Sequence, residues 1–480
     1  MTPPYKKSLI AVVVILAQFF VFRQFYPFAS FFQDSYGYID GAAERLAVSY
    51  RPMGYSWFLT AIHAVSSSDT FLVFIQYVLL QLSGLYVWST VDRLYRPRKR
   101  VSNVIFYCLL LNPLTLYMAN TVSSDALFTA LTLLWLTELL KLMHSSGPGP
   151  LLRQIILLVL IFYIRFNALY YPLIAAIAFL LATRRWSFRF TAIIATILVV
   201  VICAKRMEQV NLKATGAKTW SSFGGWQMAN NALYTYPFIK LDTSNLSPEC
   251  KDLDRMVRHY FDTARPQYTW RQPDGTWYMW DPHSPLKRYL RMWQASQHTD
   301  YFTAWSRVGP LYSQYGYHIV LHHPLAYAKA FSIHSAATYF YPPLEVLGHY
   351  NEGQDTVNDV AKDWFHYNSN KVTSADRLMQ RMIVAPLRFC WLLLNIAGVI
   401  AAVFFFTTGR ARWQALNPPL QKALLITLIY AVVNAAFFIF ATTSVFRYQL
   451  APMTWLFIFT LLTYDHWLSP WNHAPAAPKE

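Results

Sequence analysis

Asp34, Asp40, Arg45, Arg51, Asp125, Arg165 and Arg447 all stand beside or inside long apolar runs. A carboxylate placed against a hydroxyl can take its proton, a contribution worth about 10²- to 10⁴-fold in rate. An arginine offers a planar fork of donors that matches the oxygens of a phosphate. Carboxylates and arginines together therefore suit a transfer in which a hydroxyl attacks and a phosphate departs. A charge at membrane depth is costly unless paired or hydrated, so such charges usually mark function. Each residue also has a plainer reading. Asp34 reads as a solvated loop carboxylate or a helix cap, and Asp125, after Ser123-Ser124, as an N-cap. Arg165 and Arg447 read as snorkelling side chains, and Asp40 and Glu44 as ion-pair partners of Arg45 or Arg51.

The remaining candidates are weaker. His322-His323-Pro324 and His334 match no standard zinc spacing. Cys108, Cys203 and Cys390 fall in apolar runs and Cys250 stands alone, so no disulfide framework or zinc ribbon is expected. Trp270, Trp277 and Trp280 suit a core or interfacial position better than a sugar platform. Asp281-Pro282-His283 reads as a turn.

The elements that must position these residues are membrane spans. The chain has 480 residues, of which 55% are hydrophobic and only 14% charged, against about 25% charged in soluble proteins. Runs of about 20 apolar residues cross a hydrocarbon core of ~30 Å. They occur at Ser8–Phe22, Thr70–Thr90, Val101–Met118, Ala126–Met143, Leu151–Ile164, Phe166–Leu181, Phe190–Ala204, Ala385–Phe406, Leu420–Ala441 and Phe446–Tyr464. The fold expected is an all-α polytopic membrane protein of about ten spans. Tyr55–Val65 is too short to span and is placed along the interface. Residues 1–204 form an N-terminal transmembrane block with the first external loop, 205–384 an α-rich exocytoplasmic domain, 385–468 a C-terminal transmembrane block, and 469–480 a disordered tail. Within the middle region Tyr317–Tyr339 reads as one amphipathic or buried helix.

The net charge of +17 raises nucleic acid as a partner, but its distribution points to membrane orientation instead. Arg93, Arg96, Arg98, Lys99 and Arg100 share one connection, Lys141 faces Arg153, Arg184 joins Arg185 and Arg189, and Arg410 and Arg412 join Lys422. These connections alternate with Asn120–Ser124 and Thr442–Ser444, which carry no Lys or Arg. With the basic loops cytoplasmic, Asp34, Asp40, Arg45, Arg51, Asp125, Arg165 and Arg447 converge on the opposite face. Only Arg165 breaks the alternation. Lys6 and Lys7 before the first run suggest a retained first span rather than a cleaved leader.

Four local patterns then carry a family resemblance. They are Gln33-Asp34-Ser35 just outside the first span with Arg51-Pro52-Met53-Gly54-Tyr55 after it, Asn112-Pro113 followed by Ser123-Ser124-Asp125, Ile164-Arg165-Phe166-Asn167, and Phe446-Arg447-Tyr448 with Pro452. In order and spacing they resemble GT-C glycosyltransferases of the dolichyl-phosphate-mannose protein mannosyltransferase and bacterial aminoarabinose transferase group. The resemblance covers the block to Ala204 well and is loose beyond Lys205. Many members carry Asp-Glu at the first acidic site, where this chain has Asp34-Ser35.

The resemblance implies a sugar moved from a polyprenyl-phosphate donor to a hydroxyl of a lipid, glycan or protein acceptor at the exocytoplasmic face, with inversion. In that scheme Asp34 is the general base. Asp125 orients the acceptor, shares a divalent cation (Mg or Mn) with Asp34, or holds an arginine. Arg165, Arg447 and Tyr448 take the lipid phosphate, and Asp40, Arg51 and Tyr55 support. The expected setting is a bacterial inner membrane with the site facing the periplasm, with membrane lipids and no nucleic acid as partners. The rival readings are a lipid-linked saccharide flippase and an O-antigen ligase or polymerase.

Overall fold

The computed structural model describes residues 4–144, 149–182, 185–264, 275–407 and 410–467. Arg184, Trp270 and the tail from Ser469 lie outside them. The first helices in chain order are α1 (Pro4–Phe25), α2 (Gln33–Ala43), α3 (Gly54–His63), α4 (Asp69–Tyr95), α5 (Lys99–Leu110), α6 (Leu114–Asn120), α7 (Ser124–His144), α8 (Gly149–Ile164), α9 (Tyr171–Leu181) and α10 (Trp186–Thr215). Among the described residues the only β pairings are two isolated bridges, Ser30 with Thr121 and Thr356 with Lys371.

The molecule is an all-α membrane protein. Among the described residues seven helices are long and apolar enough to cross a bilayer, and α8 and α9 are shorter apolar helices. The third apolar run is broken where Asn112-Pro113 intervenes. Proline disfavours a helical residue before it, and Asn112 Oδ1 accepts from Leu114 N at 3.0 Å to restart the chain as α6. The fifth and sixth runs are broken at Arg165, whose backbone is extended.

α7 is the hub. Of its most apolar window 78% is buried, because α4, α8, α9 and α22 (Leu450–Trp467) surround it. α19 (Arg377–Phe406) is only 11% buried over its window and presents most of its surface outward. α20 (Arg410–Ala415) links it to α21 (Pro418–Phe440). α10 runs past residue 204 as one helix to Thr215, a length of about 45 Å. It ends at Gly216 with φ 74°, the left-handed cap that glycine adopts without penalty.

Beyond α10 lies a separate core built by α11 (Gly224–Leu233), α12 (Pro248–Ala264), α13 (Trp277–Trp280), α14 (Pro285–Gln297) and α15 (Tyr301–His322). Trp226 stacks on Trp305 at 3.7 Å between ring centres at its middle. The single helix expected over Tyr317–Tyr339 does not form. α15 ends at His322 ahead of Pro324, and the chain continues as α16 (Pro324–Tyr327) and α17 (Ile333–Phe340). The following segment, with α18 (Asp359–Trp364), packs back onto the first external loop and α1 in one cluster with the bundle. Residues 205–384 thus contribute to two cores, one outside the bundle and one shared with it.

Candidate active site

The site is built where two helix N-termini are brought side by side. Ser30 N donates to Asn120 O at 2.8 Å and Val122 N donates to Ser30 O at 3.0 Å, so the chain entering α2 lies along the chain entering α7. A buried ion pair anchors it from behind. Asp69 accepts from Ala29 N at 2.7 Å and from Tyr367 Oη at 2.9 Å, and Arg23 Nη2 lies 3.4 Å from it. From outside, Asn351 Oδ1 accepts from Phe31 N at 3.1 Å while Asn351 N donates to Ser30 Oγ at 3.0 Å. Ser35, where relatives of the resembled family often carry a second acid, is buried and its Oγ accepts from Phe32 N at 3.1 Å. It starts α2 and leaves Asp34 in the first turn, a favourable end of the helix dipole for a carboxylate.

Asp125 sits in the first turn of α7, but it is not the cap. Ser123 Oγ accepts from Asp125 N at 3.4 Å and donates to Asp125 Oδ2 at 3.1 Å. The carboxylate therefore faces the arginines. Arg165 Nη1 donates to Asp125 Oδ1, and Arg447 Nη1 donates to Asp125 Oδ2 at 3.1 Å. Arg447 Nη1 is also 4.0 Å from Asp34 Oδ2, and Arg51 Nη2 donates to Asp34 Oδ1 at 2.5 Å. The result is a row of alternating charge, Arg51–Asp34–Arg447–Asp125–Arg165. Tyr448 completes one wall. Its ring centre is 4.3 Å from the Arg165 guanidinium and 4.9 Å from that of Arg447, and its hydroxyl accepts from Arg447 Nη2 at 3.1 Å.

Two other expected residues lie apart. Asp40 is six positions beyond Asp34, about 240° round the helix. Burial and the neighbouring Glu44 push its carboxyl above the ordinary range. The partner expected for Asp40 or Glu44, Arg51, pairs with Asp34 instead. Tyr55 is fully buried and its hydroxyl donates to Gln76 Oε1 at 2.8 Å. Gly54, just before it, faces Tyr163 so closely that a Cβ would lie 2.5 Å from that carbonyl oxygen. The Pro-x-Gly-Tyr element is thereby explained as the seat of α3 on the end of α8. Arg447 Nη1 stands between Asp34 and Asp125, 4.0 Å from Asp34 Oδ2 and 3.1 Å from Asp125 Oδ2. Among the described residues no group of three or more acids, histidines or cysteines is placed to hold a metal.

Sequence reasoning missed three acids. Asp69 is the buried anchor described above. Glu345 Oε2 approaches Arg447 Nη2 at 3.6 Å. Glu352 is exposed at the rim of the site, and its carboxyl is pushed up by partial burial and by the charge of Asp34, with Arg447 opposing. Glu345, Asn351 and Glu352 have φ of 46°, 48° and 51°, a region costly for residues other than glycine. Phe446 N donates to Pro343 O at 3.0 Å, fixing this loop beside Arg447. The available signal was the turn-forming Asn351-Glu352-Gly353, with an acid at its centre.

Two cavities lie in the bundle, and the smaller one touches the row. One, about 390 Å³, lies among α19, α21 and α22 and is lined mainly by apolar residues. The other, about 240 Å³, has Arg51 in its wall and lies on the side of α3, α8 and α10.

No curated protein and no solved structure matches the chain. Residues 50–206, which hold Arg51, Asp125 and Arg165 but neither Asp34 nor Arg447, match the family described as dolichyl-phosphate-mannose-protein mannosyltransferase, and with the spanning helices this supports an integral membrane glycosyltransferase of the GT-C type.

Proposed function

We propose that this protein transfers a sugar from a polyprenyl-phosphate donor to an acceptor hydroxyl, with Asp34 as base. The observation that carries the reading is the state of Arg447. Its Nε is buried without a hydrogen-bond partner, although its other nitrogens are engaged by Asp125 and Tyr448. A buried guanidinium donor without an acceptor is costly, and an incoming phosphate oxygen would satisfy it. Arg165, across the Tyr448 ring, supplies a second fork.

In this scheme the acceptor oxygen gives its proton to Asp34 Oδ2. That oxygen lies 4.0 Å from Arg447 Nη1, beyond hydrogen-bond range, and so retains lone pairs for a hydroxyl. The acceptor oxygen forms a bond to the anomeric carbon as the bond from that carbon to the phosphate oxygen breaks. The departing phosphate keeps the electron pair and is stabilised by Arg165 and Arg447. A single displacement inverts the anomeric configuration. Asp125 holds both arginines, which leaves Asp34 as the base.

The apolar cavity among α19, α21 and α22 suits part of the donor's lipid chain. Tyr339, in its wall, touches the buried Phe438 at 6.3 Å between ring centres, and Phe438 in turn stacks on Tyr448 at 5.9 Å. The basic connections are read as cytoplasmic, with the site opening outward from a bacterial inner membrane.

The test is transfer or release of sugar by the purified protein from a panel of synthetic polyprenyl-phosphate sugars, with Asp34→Asn in parallel. One donor turns over, and Asp34→Asn slows it by about 10²- to 10⁴-fold. Turnover of no donor, or turnover indifferent to the substitution, would overturn the reading.

A further inference from the structure

The smaller cavity has a composition that its neighbourhood does not require. Trp57 packs against Tyr163 at 5.4 Å between ring centres and Phe166 against Trp220 at 5.0 Å, and these two aromatic pairs form its sides. Arg51 and Arg206 are the charged residues of its lining, and no carboxylate is among them. The two guanidiniums differ in one respect. Arg51 is balanced by Asp34. Arg206 is exposed, has no carboxylate partner among the described residues, and donates only to Gln209 Oε1, at a long 3.4 Å. Its neighbour Lys205, by contrast, is paired with Glu208 at 3.0 Å. The recess therefore carries one uncompensated positive charge on an aromatic-lined wall.

Its place relative to Asp34 is fixed by Arg51, which lines the cavity while one of its nitrogens holds Asp34 Oδ1. A group seated there lies one guanidinium away from the base. Its depth is fixed by α8 and α10. The apolar run of α8 ends at Ile164 and that of α10 at Ala204, and the cavity is lined by the residues that follow, Phe166 and Arg206. Tryptophan and tyrosine concentrate at that level in membrane proteins. A volume of about 240 Å³ is below the ~300 Å³ at which drug-sized sites begin, which suits one sugar ring better than a folded chain.

We infer that this cavity is the acceptor subsite and that it takes an acidic sugar headgroup on a membrane-anchored molecule, its carboxylate or phosphate against Arg206 and its ring between the aromatic pairs. The inference rests on the transferase reading for the word acceptor, but the binding it asserts does not depend on turnover.

The experiment uses the full-length protein in nanodiscs of zwitterionic lipid, with equilibrium binding of radiolabelled octyl β-D-glucuronide and octyl β-D-glucoside as probes. The two differ in the carboxylate alone. The glucuronide binds saturably and about tenfold or more tightly than the glucoside, as expected of one hydrogen bond to a charged group. Arg206→Gln brings the two affinities together, and Arg206→Lys retains the preference for the anion. Equal affinity of the two probes, or a preference that survives Arg206→Gln, would remove the subsite. A donor that turns over while the glucuronide shows no preference removes the subsite and leaves the transferase. Selective glucuronide binding without turnover of any donor leaves the subsite and removes the transferase.

Discussion

Arg447 holds two carboxylates apart while leaving one of its own nitrogens unused, and most of the behaviour of the charged row follows from that. Asp125 is 4% exposed on its side chain and answers two guanidiniums. Removing one member of a buried ion pair typically costs about 3–5 kcal/mol, because the partner charge is left uncompensated. Asp125→Asn should therefore lower the thermal unfolding midpoint in detergent as well as abolish transfer. Asp34→Asn, whose pair with Arg51 is part-exposed, should slow transfer by about 10²- to 10⁴-fold with the midpoint near that of the parent. If both variants melted alike, Asp125 would not be the anchor described here. These residues were legible in the sequence because a charge inside an apolar run is expensive and so rare. Glu345 and Glu352 were not. They lie in a region where charge is ordinary, and the positive φ that turns them toward Arg447 leaves no trace in composition.

Among the elements, the least conspicuous contact is the one between α3 and the end of α8. Gly54 has no room for a side chain, since a Cβ there would sit 2.5 Å from Tyr163 O and 2.7 Å from its carbonyl carbon. Backbone cannot step aside as a flexible side chain can. Gly54→Ala should destabilise the protein by about 1–3 kcal/mol, the usual range for overpacking. It should also impair transfer out of proportion, because the shift moves Arg51 and Arg165 together. A midpoint unchanged by Gly54→Ala would refute the close seat. The Pro-Met-Gly-Tyr pattern announced this turn, and the apolar runs announced the spans, since length and hydropathy are what a bilayer demands. The extension of α10 to Thr215 was hidden, because a helix that leaves the membrane changes its surface and not its backbone. The break at Pro324 was available and was outweighed by the surrounding aromatic run.

On the scale of the whole molecule, the external core has its own signature. Lys287 is buried among Trp226, Trp280, Tyr301 and Trp305, and burial pulls its ammonium down to about 8 from the ordinary 10.5, with Arg291 adding to the effect. Between those two values the unfolded chain holds a proton that the folded one has released, so stability rises with pH across that window and is lost as pH falls back through it. Thermal unfolding measured from pH 7 to 10.5 should show that rise, and Lys287→Met should flatten it. An identical slope in the variant would assign the effect elsewhere. The charged row has a different consequence, which concerns time. Its members come from residues 34, 51, 125, 165 and 447, and the residue that bridges both acids is made last. Throughout synthesis Asp125 has at most Arg165 to answer it, and Asp34 only Arg51. A nascent chain is therefore electrostatically unfinished until its final helix pair is inserted. A chain that stops short of residue 447 leaves Asp125 with one of its two guanidiniums.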